Sequence, residues 1–109
     1  IRCGVNRVLT SGQRDTALEG ITILKSAQEQ AAGRIVIMGC GALDAQNIRQ
    51  VRDAAGLTEM HFAALTTVPS GMAFRNPHVG MGGTEKDREY ELTLTDKDAV
   101  RATIAAAKS

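Results

Sequence analysis

A charged residue opens each of two apolar, strand-like segments of this sequence. Arg7 begins RVLTS, and Glu59 begins EMHFAA, where His61 follows two positions later. The alternation of a strand places Glu59 and His61 on one face and Met60 and Phe62 on the other. Because a buried charge needs a partner, we expect Arg7 to neutralise Glu59 on the interior face.

The polar residues on this face have two interpretations. As catalytic candidates, Arg7, Glu59 and His61 would act together, with His61 as a general acid–base or a metal ligand. As structural groups, Arg7 and Glu59 form an ion pair, and His61 is a hydrogen-bonded interior histidine. Ser11 and His61 lie in neighbouring regions, but no third orienting residue is identifiable, so a nucleophilic triad is not indicated. The sequence leaves open whether the protein is an enzyme.

Small and polar residues follow the first two strand-like segments. Ser11 and Gly12 come after the first, and Gly39 and Gly41 come after the second. Glycines let backbone N–H groups approach an anion, and a following helix adds a favourable field. Arg75 could supply a bidentate contact. The sequence therefore predicts an anion-binding site, with the alternative that the glycines only form tight turns.

A soft-metal site is a further interpretation of the same region. Met38, Cys40 and His61 lie at or near neighbouring strand ends, and thioether, thiolate and imidazole ligands suit Cu(I). Met38 also has the phase of a core residue. The long loop that follows contributes other candidate copper ligands, which could equally be packing residues, namely Met72, His78 and Met81.

The elements that must position these residues alternate between strand and helix. Strands are predicted over 7–11, 34–38 and 59–64. One helix begins at a capping box, Thr16 to Glu19, and ends at Gly33. A second begins at Asp44 and ends at Gly56. This alternation with short connections predicts an α/β fold with parallel strands.

The C-terminal part of the chain departs from that alternation. Residues 65–89 form a long segment with no predicted element, and YELTLT is either a short strand or an extended link. A last helix is predicted from Asp96, with Val100, Ile104 and Ala107 on its apolar face. Three parallel strands leave two open sheet edges. We therefore expect a larger α/β domain, or another chain, to complete the sheet.

Composition excludes several classes of function. The 109 residues carry a net charge of +1, with 3% aromatic residues and no Trp. Base-stacking nucleic-acid platforms need aromatic residues, and no basic patch is visible. No apolar run approaches the roughly 20 residues that a membrane helix needs. Two cysteines do not make a disulfide framework. We expect a cytoplasmic protein that binds neither nucleic acid nor membrane.

Several motifs, in a fixed order, resemble one protein family. They are RVLTSG followed by ALEGI, GRIVIM before a glycine-rich turn, EMHF, MAFRN and YELTLTD. Together they resemble the C-terminal part of the CutC copper-homeostasis family, over nearly the whole chain. The resemblance implies that residues 1–109 form a partial TIM (β/α)₈ barrel, incomplete at its N-terminus, and that its three predicted strands are the sixth, seventh and eighth.

The resemblance also implies a function. It suggests a cytoplasmic role in copper homeostasis, with Cu(I) binding, in a protein that pairs with another copy or with the remainder of the barrel. In one respect the chain departs from the family, since Cys40 interrupts what is commonly a run of three glycines. The alternative is an uncharacterised barrel enzyme acting on a small anionic, phosphate-bearing substrate, because barrel active sites lie at the carboxyl ends of the strands.

Overall fold

The computed structural model describes residues 1–78, 80 and 88–109. It confirms the predicted alternation of strands and helices over the first part of the chain. In chain order the elements are β1 Arg7–Thr10, α1 Ile21–Ala31, β2 Val36–Gly39, α2 Ile48–Ala55, β3 Glu59–Met60, β4 Leu65–Pro69, β5 Glu91–Thr95 and α3 Lys97–Lys108.

The first three strands form a parallel sheet in the order β1-β2-β3. The register pairs Arg7 with Val36 and Met38 with Glu59. The third strand is shorter than the predicted span of 59–64. Its pairing continues one residue further, because the His61 N–H donates to the Gly39 carbonyl oxygen at 2.8 Å.

Helices cover only one face of this sheet. The buried core comprises Ala17, Leu24, Ala31, Ile37, Leu43, Ile48, Val51, Ala55 and Leu57. Met60 and Phe62 pack against that core, which confirms the side predicted for them by alternation. On the opposite face Leu9 is 56% exposed. The parallel sheet therefore has one apolar, helix-covered face and one open face.

The first helix starts one turn later than its apolar pattern predicted. Half of the predicted capping box forms, since the Thr16 Oγ1 accepts from the Glu19 N–H at 3.2 Å. Helix α1 itself begins at Ile21. Between them the Ala17 N–H donates to the Gly41 carbonyl oxygen at 2.9 Å. That long-range bond ties the preceding turn to the loop after β2.

The sequence signals for the ends of α1 and α2 are confirmed only in part. The Asp44 Oδ1 accepts from the Gln46 N–H at 2.8 Å and from the Asn47 N–H at 3.2 Å, but these bonds cap the turn before α2, which itself begins at Ile48 without a side-chain cap. The helix ends at Gly56, which adopts a left-handed conformation with φ of 68°. Gly33, predicted to end α1, is also left-handed, with φ of 74°. Gly56 therefore ends α2 as predicted, whereas the left-handed C-cap of α1 is Ala32, with φ of 47°, one residue before Gly33.

The prediction that residues 65–89 contain no helix or strand is wrong for the first five of them. Leu65–Pro69 forms β4, which pairs antiparallel with β5. Of the two possibilities for YELTLT, the short strand is correct. The residues of β4 suit a strand, but the strand is defined by a partner more than 20 residues away along the chain. Local pattern alone carries no sign of that pairing.

The last helix begins where predicted, and its buried face matches the prediction only in part. The Asp96 Oδ1 accepts from the Asp98 N–H at 2.8 Å and from the Ala99 N–H at 3.2 Å. Ala107 packs against the core as predicted. Ile104 is 41% exposed, and the fully buried position is Thr103, at 2% exposure. The Thr103 hydroxyl is satisfied because it donates to the Ala99 carbonyl oxygen at 2.8 Å.

Gly20→Ala tests the close backbone contact that shapes the loop after β1. A Cβ at Gly20 would collide with the Ser11 carbonyl oxygen and lie 2.9 Å from the Gly12 Cα. We expect the substitution to lower the free energy of unfolding by about 1–3 kcal/mol, measured by urea denaturation. The matched control is Gly71→Ala, where a Cβ meets nothing within 4 Å. Equal midpoints for the two variants would contradict this packing account.

Candidate functional site

Arg7 and Glu59 form the ion pair that the sequence predicted. The Arg7 Nε donates to the Glu59 Oε2 at 2.7 Å, and Nη2 donates to Oε1 at 3.0 Å. Arg7 is registered beside Val36, and Glu59 beside Met38. The pair therefore reaches across β2 on the open face and links the two outer strands. Their side chains are 55% and 33% exposed, so the pair is only partly shielded from solvent.

The ion pair shifts the protonation equilibria of both groups. The hydrogen bonds from Arg7, with its positive charge, hold the pKa of Glu59 below its usual value, against a smaller opposing effect of desolvation. The same contact raises the pKa of Arg7. Because the folded-state pKa of Glu59 is lowered, its stabilising contribution is present above the unfolded-state pKa. That contribution is lost as the pH falls through the folded-state value.

Cys40 and His61 are brought together at the carboxyl end of the sheet. The register pairs Met38 with Glu59 and Gly39 with Met60. One further step places Cys40 beside His61, and the bond from the His61 N–H to Gly39 continues the pairing to that point. Neighbouring strands lie about 4.8 Å apart, so the two residues are lateral neighbours.

An open depression of about 430 Å³ lies at this position, with Cys40 and His61 in its lining. The other lining residues are Leu9, Gly41, Ala42, Leu43, Phe62 and Ala63. Cys40 is half-buried, and His61 is exposed. Both side chains are therefore accessible from one concave, mostly apolar surface.

Met38, the third predicted soft ligand, lies two positions before Cys40 on the same strand path. Alternation places both on the open face, with Met38 half-buried and registered beside Leu9 and Glu59. It is not among the residues that line the depression. Of the loop candidates, Met72 and His78 are exposed, and Met81 lies outside the described residues.

The residues predicted to bind an anion after β1 make local hydrogen bonds. The Ser11 hydroxyl donates to the Arg14 carbonyl oxygen at 2.6 Å. The Gly12 N–H donates to the Thr10 Oγ1 at 3.1 Å. A Cβ on Gly12 would lie 2.8 Å from the Gly20 Cα, so this glycine permits two backbone segments to touch.

The glycines after β2 likewise have packing reasons for their small size. A Cβ on Gly39 would lie 2.6 Å from the Leu57 Cδ1. Gly41 has φ of 106°, and its added Cβ would lie 3.1 Å from both the Ala17 nitrogen and the Ser11 Cβ. Their positions agree with the tight-turn alternative considered from the sequence.

Arg75 belongs to a different part of the molecule from the strand-end glycines. Its Nη2 donates to the Ser70 carbonyl oxygen at 3.1 Å, and its guanidinium lies 4.4 Å from the centre of the Tyr90 ring. It lines a separate depression beside β4 and β5. Arg75 therefore holds the loop after β4 in place. It does not lie beside the strand-end glycines of the predicted anion site.

Sequence reasoning missed two backbone features of the candidate site. Ala42, in the lining of the depression, has φ of 50°. Gln13, in the loop after β1, has φ of 59°. Neither residue is of a type that signals a left-handed conformation, so no local pattern indicated these turns. The position of Leu9 on the open face, by contrast, follows from alternation.

Two properties of the described ranges (1–78, 80 and 88–109) bear on the class of site. Within them, no cluster of three or more His, Cys, Asp or Glu side chains could hold a metal ion. No helix within them is long and apolar enough to cross a bilayer. Cys3 and Cys40 are both free thiols.

Comparison with known proteins decides the family. The model of the CutC family matches residues 1–66, which is more than half of the 109-residue chain. This chain belongs to the CutC family. The resemblance drawn from the ordered motifs is therefore confirmed.

Curated relatives extend the CutC match over the rest of the chain. A protein of Mesorhizobium japonicum named family protein CutC is 62% identical over 109 residues, covering 100% of this chain and 42% of that protein. A human protein named copper homeostasis protein cutC homolog is 44% identical over 106 residues, covering 97% of this chain and 39% of that protein. This chain spans about two fifths of the length of such relatives.

Arg7→Gln tests the electrostatic coupling across the open face of this CutC chain. Removing the guanidinium should raise the pKa of Glu59 toward its usual value, which NMR titration of the Glu59 carboxyl group measures. Arg49→Gln is the control, because Arg49 pairs with Asp53 on α2. A Glu59 pKa unchanged by Arg7→Gln, or moved equally by both substitutions, would show that the ion pair does not persist in solution.

Proposed function

We propose that this chain is part of a cytoplasmic CutC-family protein of copper homeostasis that binds Cu(I) through Cys40 and His61. The observation that carries the proposal is the register of β2 and β3, which makes these two residues lateral neighbours in one depression. The human relative is named a copper homeostasis protein. In this proposal copper is the ion that the protein handles and is not a resident cofactor.

The chemistry of the two side chains supports this choice of metal. A thiolate is a soft ligand, and an imidazole nitrogen binds copper ions well. Cu(I) accepts low coordination numbers, so a pair of such ligands is sufficient. Met38 is the one further soft donor on the same face of β2. Because Cys40 must be a reduced thiolate to bind the metal, the proposal is consistent with a reducing, cytoplasmic setting.

We also propose that the parallel sheet is part of a (β/α)₈ barrel. Helices cover one face, and the other face carries the Arg7–Glu59 pair, Leu9 and Met38. In a barrel that second face points to the interior. The outer edges of β1 and β3 lack strand partners among the described residues, and the relatives are more than twice as long as this chain.

The alternative of an enzyme for a phosphate-bearing substrate receives less support. The glycines at 12, 39 and 41 each have a close packing neighbour that accounts for the lack of a side chain. Arg75, the proposed anion ligand, is held by Ser70 and Tyr90. No observation in the described part of the chain favours this function over copper binding.

A Cu(I) titration of the chain tests the proposal. Performed without oxygen and against a competing chelator, it should detect one bound Cu(I) per chain. Cys40→Ser and His61→Ala should each weaken binding by about tenfold or more, because each removes one of two ligands.

The matched control for Cys40→Ser is Cys3→Ser, which removes the exposed thiol at the other end of the sheet. It should leave the affinity unchanged. The proposal fails if the chain binds no Cu(I), or if the two serine substitutions weaken binding equally.

A further inference from the structure

Strand β5 has an open edge among the described residues. The antiparallel ribbon consists of β4 and β5 alone. Two flanking hydrogen bonds fix which residues bond within it. The Ser70 N–H donates to the Tyr90 carbonyl oxygen at 2.7 Å, and the Asp96 N–H donates to the Ala64 carbonyl oxygen at 2.8 Å. Because bonded pairs recur every second residue, Leu92 and Leu94 are the bonded residues of β5.

The other three residues of β5 therefore direct their backbone groups outward. These are Glu91, Thr93 and Thr95, each with one N–H and one C=O at the outer edge. The corresponding edge of β4 is less suited to pairing, because Pro69 lacks an N–H there. The outer edge of β5 is thus the side of the ribbon prepared to receive another strand.

We propose that the edge of β5 pairs antiparallel with β5 of a second copy of this chain, about a two-fold axis at Thr93. In this register Thr93 lies opposite Thr93 of the second copy. Leu92 then lies opposite Leu94, and Glu91 opposite Thr95. This interface is independent of the proposed copper site, which lies on the parallel sheet.

The sequence of β5 is self-complementary, which is why a second copy fits. Leu92, Thr93 and Leu94 read the same in both directions, so a two-fold axis at the central threonine matches each leucine with a leucine. The single charge, Glu91, faces a threonine and not another carboxylate. An interface between identical surfaces requires this kind of complementarity.

Pairing would also remedy two weaknesses of the isolated ribbon. Leu92 and Leu94 are 50% and 49% exposed, and they lie on the same face as Val68. Two such ribbons joined at β5 make a four-stranded sheet with these side chains side by side across the axis. A two-stranded ribbon is marginal in water, and three or more strands with an apolar face, or packing against a helix, are needed for independent stability.

Proline substitution at matched positions tests the pairing. Thr93→Pro removes the outward N–H at the proposed axis. Thr67→Pro is the control, since Thr67 is registered directly opposite Thr93, and its N–H points from the other edge of the ribbon. Analytical ultracentrifugation should show a concentration-dependent dimer for the parent chain and Thr67→Pro, but a monomer for Thr93→Pro. A monomeric parent chain, or a dimer that Thr93→Pro leaves intact, would overturn the proposal.

Crosslinking tests the register without altering the backbone. In a chain carrying Cys3→Ser and Cys40→Ser, Thr93→Cys should form an intermolecular disulfide with oxidised glutathione as the oxidant. A hydrogen-bonded antiparallel pair has Cα atoms about 5.5 Å apart, within the range for a disulfide. Thr67→Cys in the same background should crosslink far less. Equal crosslinking at the two positions would contradict the predicted axis.

Discussion

Burial of one face of the parallel sheet is the interaction on which the rest of this structure depends. Helices α1 and α2 pack their apolar residues, led by Leu24, Ile48 and Val51, against the side of β2 that carries Ile37. Removal of these apolar side chains from water stabilises the fold. The opposite face carries polar groups together with Leu9 and Met38, and alternation along the three strands fixes their order.

That order gives the open face two ends with different chemistry. At the amino end, Arg7 crosses β2 to reach Glu59 and links the outer strands electrostatically. At the carboxyl end, the same register sets Cys40 beside His61. In the first pair, each charged side chain is neutralised by the other. The second is two metal-binding side chains in a shared depression, and this arrangement supports the copper-binding function proposed for the family member.

Sequence reasoning succeeded where one local rule decides the outcome. Alternation alone places Glu59 and Met60 on opposite faces of the sheet, and side-chain capping by Asp96 marks the start of α3. It failed where a distant contact decides. Strand β4 exists because β5 pairs with it. The buried face of α3 is Thr103 in place of Ile104, because the helix packs on α2.

The candidate site was predictable in its residue types but not in its grouping. Cys40 and His61 are recognisable as ligands in isolation, and only the pairing of β2 with β3 makes them neighbours. Arg75, equally recognisable as an anion ligand, is held instead over Tyr90. The chemistry of a side chain can be recognised from the sequence, whereas the residues beside it depend on the topology of the fold.

NMR spectroscopy of the labelled chain during Cu(I) addition tests the central claim most directly. The chain has two histidines and two cysteines, so each proposed ligand has an internal control. The account predicts that the His61 ring and Cys40 Cβ resonances shift together until one equivalent is bound, while His78 and Cys3 do not change. Shifts at Cys3 or His78 of the same size, or movement of Cys40 without His61, would contradict it.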